Sequence, residues 1–385
     1  MQKPVYFDNH ATTAVDPRVL EAMLPYFGAK FGNPASRSHS FGWEAEKAVE
    51  FARKRVTALA GAGPREIVFT SGATESNNLA IKGAMEAHSA RGNHIVTVAT
   101  EHRAVLDPIA HLARQGCEAT VLPVDRAGRI DLDRLRDAIG PRTVLVSVMW
   151  ANNEIGTIHP VAEIGAICRE KGVRFHCDAA QAFGKVPVDV QAARIDLMSL
   201  SAHKLYGPKG VGALFVRRGV KLAAQMDGGG HEFGARSGTL NVPAIVGFGA
   251  ACTLCRDEMA EEAARVSALR DRLQAKLQAA LDQVTVNGAL GGRLPGNLNL
   301  TFGWVTADAL LMALPDIALS TGSACSSATP ETSHVLRAIG MTADEARASV
   351  RFGLGRFTTE EEVDYVTGRV TEAVNRIRSL SVMAP

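Results

Sequence analysis

From about residue 65 to residue 218, short apolar runs rich in β-branched residues alternate with amphipathic stretches. The runs are "EIVFT", "HIVTVAT", "ATVLPV", "TVLVSVM", "VRFHCDA", "DLMSLSA" and "GALFVRR". Between them lie "ESNNLAIKGAMEAH", "AVLDPIAHLARQG", "DLDRLRDAI" and "VAEIGAICREKG", each with helical spacing. Strands that are apolar almost throughout need cover on both faces, and intervening helices supply it. The pattern therefore predicts an α/β fold around a mostly parallel, seven-stranded sheet.

After residue 242 the texture changes. Helical periodicity runs from residue 241 to residue 284, starting at "NVPAIVGFGA". That is long for one globular helix, and it predicts a bend or a crossing between domains. Strand-like "VTVNG", "NLNLTF", "IALSTGS" and "ASVRFGLG" then alternate with helical "ADALLMAL", "ETSHVLRAIG" and "TTEEEVDYV". A smaller α+β domain is expected there, with the first dozen residues returning to it. The expected division is 12–259 for the large domain, with 1–11 and 260–385 forming the small one.

Composition narrows the function classes. The chain has 385 residues, with 42 Lys plus Arg against 40 Asp plus Glu and a net charge of +2. No basic footprint for nucleic acid is present. No run approaches the roughly 18 apolar residues of a membrane span. "MQKPVYFDNHATT" lacks the apolar centre of a signal peptide, so a cytoplasmic location is expected. The six cysteines, at 117, 168, 177, 252, 255 and 325, are scattered as in a reducing compartment. Cys252 and Cys255 form a C-x-x-C with no second half, which reads as two small side chains on one helix face; no metal is expected.

The ligand of an open α/β sheet sits at the carboxyl ends of its strands, so the polar residues after each run carry the information. "IVFTSGATESNN" places Ser71, Gly72, Ala73 and Thr74 between a strand and a helix. Such a turn is a phosphate cup, or else an N-cap made by Thr74 or Ser71 with no ligand. Glu101 and His102 end the next strand, and a histidine there is more often a cap than a catalyst. Asn152 and Asn153 read first as turn formers. Asp178 follows a run that should be buried, so it needs a partner; a cation or a helix start would serve. His176, Cys177 and Asp178 alternate in direction and cannot share a metal. Lys204, in "SLSAHKLYGPKGVG", ends an apolar strand before a glycine-rich turn, where a lysine can form a Schiff base. Cys325, in "STGSACSS", lies among small hydroxyl residues and glycine, the setting of a reachable thiol rather than a packed one. Pyridoxal phosphate needs such a lysine, an acid for its ring nitrogen, a phosphate cup and an arginine for its substrate's carboxylate, and all four are present.

In this arrangement the chain resembles the cysteine desulfurases of the NifS/IscS type, within the fold-type-I pyridoxal-phosphate enzymes. The likeness is carried by "DNHATT", "FGNPASRSH", "FTSGATESNNLAI", "TEHRAVL", "NNEIG", "HCDAAQ", "SAHKLYGPKGVGAL", "GGGHEFGARSGTLNV", "STGSACSS" and "VRFGLGRFTTEEE". It implies that Lys204 holds the cofactor and moves protons. It implies that Asp178 pairs with the ring nitrogen and Gln181 with the phenolic oxygen, and that His102 stacks on the ring. Ala73, Thr74, Ser201 and His203 would hold the phosphate. Thr239 would reach the phosphate of a neighbouring subunit, which makes the protein a homodimer. Asn153 and Arg351 would position the substrate carboxylate.

By the same resemblance Cys325 is the nucleophile that takes sulfur from L-cysteine as a persulfide and leaves L-alanine. The sulfur would go on to iron–sulfur cluster assembly or thiolation through an acceptor or scaffold protein. "STGSACSS" resembles the long-loop group, with a mobile loop at about 320–330; five extended residues reach about 15 Å. Selenocysteine lyases and aminotransferases of the same fold are the alternative activities, and a cofactor-free sulfur carrier or scaffold is the non-enzymatic one. Housekeeping members often continue past "SLSVMAP" with a scaffold-docking tail. "NHATT" and Asp227 also depart from the commonest forms.

Overall fold

The computed structural model describes residues 4–321 and 332–380. In chain order the elements up to the large sheet's last strand are β1 (Val5–Tyr6), α1 (Pro17–Met23), α2 (Ser40–Ala60), β2 (Ile67–Thr70), α3 (Ala73–Ala87), β3 (His94–Val98), α4 (Arg103–Ala113), β4 (Glu118–Leu122), α5 (Leu132–Ala138), β5 (Thr143–Ser147), α6 (Val161–Glu170), β6 (Arg174–Asp178), β7 (Leu197–Ser201) and β8 (Gly212–Val216). There follow α7 (Val242–Ala280), β9 (Val284–Val286), β10 (Asn297–Phe302), α8 (Ala307–Ala313), β11 (Ile317–Ala318), α9 (His334–Ala338), α10 (Ala343–Arg347), β12 (Ser349–Gly353) and α11 (Glu360–Leu380).

The seven predicted runs form one sheet in the order β2-β8-β7-β6-β5-β3-β4. Pairs among β3 to β7 are parallel, and β8 alone runs against its neighbours. Both faces are covered. Val68, Ile95, Leu145, Leu197 and Leu214 pack with Ile81 and Met85 of α3 on one side. Phe69, Val96, Val146, Phe175 and Phe215 pack with α2, α6 and the first half of α7 on the other. Successive strand residues point to opposite faces, which is why a fully buried strand is apolar throughout.

A second core gathers Phe7, the second half of α7 and residues of β10, β12 and α11. There β9, β10 and β12 form an antiparallel sheet, while β1 pairs in parallel with β11. The first residues thus return to this part, as the pattern predicts. The long helix α7 is uninterrupted over 39 residues. Its residues up to Cys255 belong to the first core and those from Val266 to the second, so it crosses between cores within one helix. The short α10 was not expected; Thr342 and Glu345 close it with a reciprocal capping box.

Candidate active site

Five strand ends converge on one cavity of about 410 Å³. It lies beyond the carboxyl ends of the parallel strands, where the sheet's side chains give way to loops. Ala73, Thr74, His102, Asn153, Asp178, Gln181, Ser201, His203, Lys204 and Arg351 all line it. Two predicted positions are not brought there. Thr239 is exposed and lies outside the lining. Cys325 lies outside the described residues.

Lys204 follows β7 on a single helical turn and is partly buried. Its Nζ donates to the carbonyls of His10 at 2.6 Å and Ala11 at 2.7 Å. Next to it, His203 hydrogen-bonds Thr12 Oγ1 through Nδ1 at 3.0 Å. Burial, with Lys204 adding to it, lowers the His203 pKa to about 4, so its ring is neutral at physiological pH.

Asp178 ends β6 and is 5% exposed. Its carboxyl group accepts from Asn77 Nδ2 at 2.7 Å and from the Ala180 N–H at 2.9 Å. Both are neutral donors, so the cation anticipated from the sequence is not supplied by the described residues. An acid held this way at a cavity wall is matched by a charged donor inside the cavity. A protonated ring nitrogen fits that role.

The opposite wall is the start of α3. Gly72 is its N-cap, at φ 152°, and makes no side-chain capping bond. Thr74 and Ser71 therefore do not cap the helix; the Ser71 N–H instead donates to Glu75 Oε2 at 2.7 Å. The first-turn N–H groups have no intrahelical partner and point their dipole at the cavity, which suits a phosphate. Open space surrounds the position where a Cβ on Gly72 would stand.

His102 does cap α4: its Nδ1 accepts the Ala104 N–H at 3.0 Å. Burial lowers its pKa, and Lys204 and His334 act in the same sense while Asp178 opposes them. A neutral ring accepting at Nδ1 carries its proton on Nε2. Asn152 is the turn former expected, its Oδ1 accepting the Glu154 and Ile155 N–H groups at 2.8 and 2.9 Å. Arg351 is 2% exposed. It pairs with Asp8 at 2.8 Å and donates to the Asn153 carbonyl at 2.9 Å, while its buried Nε has no partner among the described residues.

The described residues on either side of the segment bearing Cys325 are tied to residues in or next to this lining. The Arg351 N–H donates to the Ser320 carbonyl at 2.8 Å. On the other side, Ser333 Oγ donates to Glu154 at 2.5 Å and His334 Nε2 to the Glu101 carbonyl at 2.8 Å. Sequence reasoning missed three residues here: Asn77, His10 and Lys185. Asn77 had no local signal. His10 was visible only as an unusual residue in "NHATT", and Lys185 only as a charge in the apolar "AFGKVPV". Cys252 and Cys255 are both buried in α7, two small side chains one helical turn apart.

A mostly parallel sheet with a lysine, a buried acid and an uncapped helix start at its carboxyl edge defines a class, and known proteins agree with it. The chain belongs to the class-V aminotransferase family, which it matches over residues 5–366. More narrowly, it is 61% identical over 383 residues to a cysteine desulfurase IscS of Anaeromyxobacter sp. (strain Fw109-5), covering 99% of this chain and 95% of that one. A solved NifS-like protein superposes with a TM-score of 0.91 at 38% identity, over 97% of this chain and 100% of its own. A structure of SspA in complex with cysteine superposes with a TM-score of 0.82 at 37% identity, over 92% of this chain and 100% of its own.

Proposed function

We propose that this protein is a pyridoxal-phosphate-dependent cysteine desulfurase. It converts L-cysteine to L-alanine and holds the sulfur as a persulfide on Cys325 for transfer to an acceptor in iron–sulfur cluster assembly or thiolation. The observation that carries this reading is the convergence of Lys204, Asp178 and the bare start of α3 on one cavity. The residues present fit the cofactor, because the Asp178 carboxyl group and the first-turn N–H groups of α3 lack the partners such a group would bring.

When bound, pyridoxal phosphate supplies an aldehyde that captures amines and a ring that withdraws electrons from the substrate's α-carbon. Lys204 would anchor it covalently and then serve as the base beside that carbon. Asp178 would hold the ring nitrogen, Gln181 the phenolic oxygen, and Ala73, Thr74, Ser201 and His203 the phosphate. His102 would face the ring and pass on protons from Nε2. Asn153 and Arg351 would orient the substrate carboxylate. The Cys325 thiolate attacks the substrate sulfur; the carbon–sulfur bond breaks, its electron pair stays with the carbon, and a proton completes alanine.

Homodimerisation is part of the reading. Phe27, Phe31, Phe41, Trp43 and Phe51 are exposed together with Phe233. Apolar area of this kind marks an interface, and a second copy docked there would bring the exposed Thr239 to its neighbour's phosphate. The domain division at 12–259 is inferred from the two cores. No helix among the described residues is long and apolar enough to cross a membrane; a cytoplasmic location is proposed.

The test is to incubate the purified protein with cysteine, then measure alanine and the mass of the Cys325 peptide. That peptide should gain one sulfur atom. Cys325→Ala should keep the yellow colour and form no persulfide, whereas Lys204→Ala should lose the cofactor's visible band. Undiminished sulfur release by Cys325→Ala would overturn the nucleophile's assignment.

A further inference from the structure

The wall behind Gln181 holds a lysine whose hydrogen-bond partner is an amide rather than a carboxylate. Lys185 comes off a tight turn at Gly184, which adopts φ 77°. A Cβ at Gly184 would meet Cys255 Sγ at 2.9 Å, so the turn requires glycine. The turn directs Lys185 back along its own segment, and its Nζ donates to Gln181 Oε1 at 3.2 Å.

Gln181 is thereby held at three points. Its Nε2 donates to the His10 carbonyl at 2.9 Å. Its Oε1 receives both Lys185 and His10 Nδ1, the latter at 3.0 Å. The His10 carbonyl can only accept and the lysine, as its ammonium, can only donate, so the amide cannot turn over without setting N–H against N–H and oxygen against oxygen. This orientation makes His10 the Nδ1–H tautomer. It also leaves one Nε2 proton of Gln181 uncommitted at the cavity.

We propose that Lys185 is a positioning residue: by holding Gln181 Oε1, it turns the free Nε2 proton of Gln181 towards the cofactor's phenolic oxygen. The inference rests on the cofactor reading given above. It also explains why a poorly paired cation persists. Burial, with Lys204 and Arg351 adding to it and Glu262 and Cys255 opposing, brings the Lys185 pKa down to about 7. The groups facing it are His10 and Gln181, Lys204 and His203 beyond β7, Arg351 of β12, and Glu262 and Cys255 of α7. A lysine whose folded pKa is depressed weakens the fold below that pKa, and the penalty fades as pH rises towards the unfolded value. Lys185 therefore works against stability at neutral pH and below.

The test uses Lys185→Met, Lys185→Gln, Gln181→Met and the double variant Lys185→Met/Gln181→Met. Three quantities are read: affinity for pyridoxal phosphate by titration, the pH midpoint of the bound cofactor's visible band, and Tm of the cofactor-free protein. Lys185→Met should weaken cofactor binding about three- to tenfold, the range of one hydrogen bond, and raise the midpoint. Its Tm at pH 6 should not fall. Lys185→Gln, whose amide can still donate to Oε1, should restore most of the affinity. In the Gln181→Met background the lysine change should add nothing.

An unchanged affinity and midpoint in Lys185→Met, with both altered in Gln181→Met, would overturn the role of Lys185 alone. Failure of Lys185→Met to fold would also overturn it, since the lysine would then be structural. If Gln181→Met alters neither quantity, the assignment of Gln181 itself falls and that of Lys185 with it.

Discussion

Two buried cations of the molecule are treated in opposite ways. Under α2, the Arg53 guanidinium is 3% exposed and meets Glu232 through both terminal nitrogens, at 2.8 and 2.9 Å. It also donates to the Ile67 carbonyl at 2.7 Å and stacks against Phe69 and Phe233. Glu232 in turn accepts the Phe69 N–H at 2.7 Å. With Nε on Glu50 at 2.9 Å, four of the five guanidinium protons have an acceptor among the described residues, and the pair pins the turn at Glu232 and Phe233 to strand β2 although both residues have positive φ. Behind the cavity, Lys185 has one amide as its hydrogen-bond partner among the described residues. A cation paired on all sides holds a loop in place; one left half-paired lowers stability and persists where a neighbouring group depends on it.

The sharpest way to break this contrast is to remove Arg53. Arg53→Met strands the Glu232 carboxylate in the core, and breaking such a buried pair costs about 3–5 kcal/mol. Thermal unfolding should drop by about 4–6 °C in a chain of this size. If Arg53→Met were as harmless as Lys185→Met, the distinction between paired and half-paired cations would fail. A smaller effect is expected at Asn77, which is fully buried and holds Asp178. Asn77→Ala removes a hydrogen bond to a charged group, worth about 1.5–3 kcal/mol. Roughly ten- to hundredfold weaker cofactor binding is expected, read by titrating the visible band. Undisturbed binding would mean that Ala180 alone suffices to hold the acid.

The same contrast explains what was readable in the sequence. Asp178, His102, Lys204 and Asn153 each follow an apolar run, so a local pattern placed them at one sheet edge. The family likeness added roles, but the edge follows from periodicity. Asn77 and Lys185 have no such signature, because what they do is set by contacts made after folding. His10 and Gln181 are 171 residues apart and meet only because β1 returns to the second core. The helix start at Gly72 was read as a cup or a side-chain cap, and only geometry separates the two. The reversed direction of β8 was also hidden, since a buried strand looks the same either way. Cys325 stood out by composition alone and lies outside the described residues.

The smallest effect concerns an acid and extends the comparison to the opposite charge. Glu232 is fully engaged, but Glu101 is fully buried with one oxygen on the Met149 N–H at 2.5 Å and the other without a partner among the described residues. Burial raises its pKa well above the usual carboxylate range, and nearby Asp178 adds to the rise. The folded protein therefore keeps a proton that the unfolded chain releases at about pH 4.3. Where the folded state binds the extra proton, stability falls as pH rises, so this contribution is present at low pH and lost upward through the folded pKa. Glu101→Gln keeps the acceptor for Met149 and removes the titration. Its Tm relative to wild type should improve from pH 5 to pH 8, by about 1 °C for each kcal/mol recovered. Calorimetry of the cofactor-free protein at the two pH values reads this directly. A difference that stays constant with pH would mean that Glu101 is ionised in the fold, and that a half-paired acid need not behave as the half-paired lysine does.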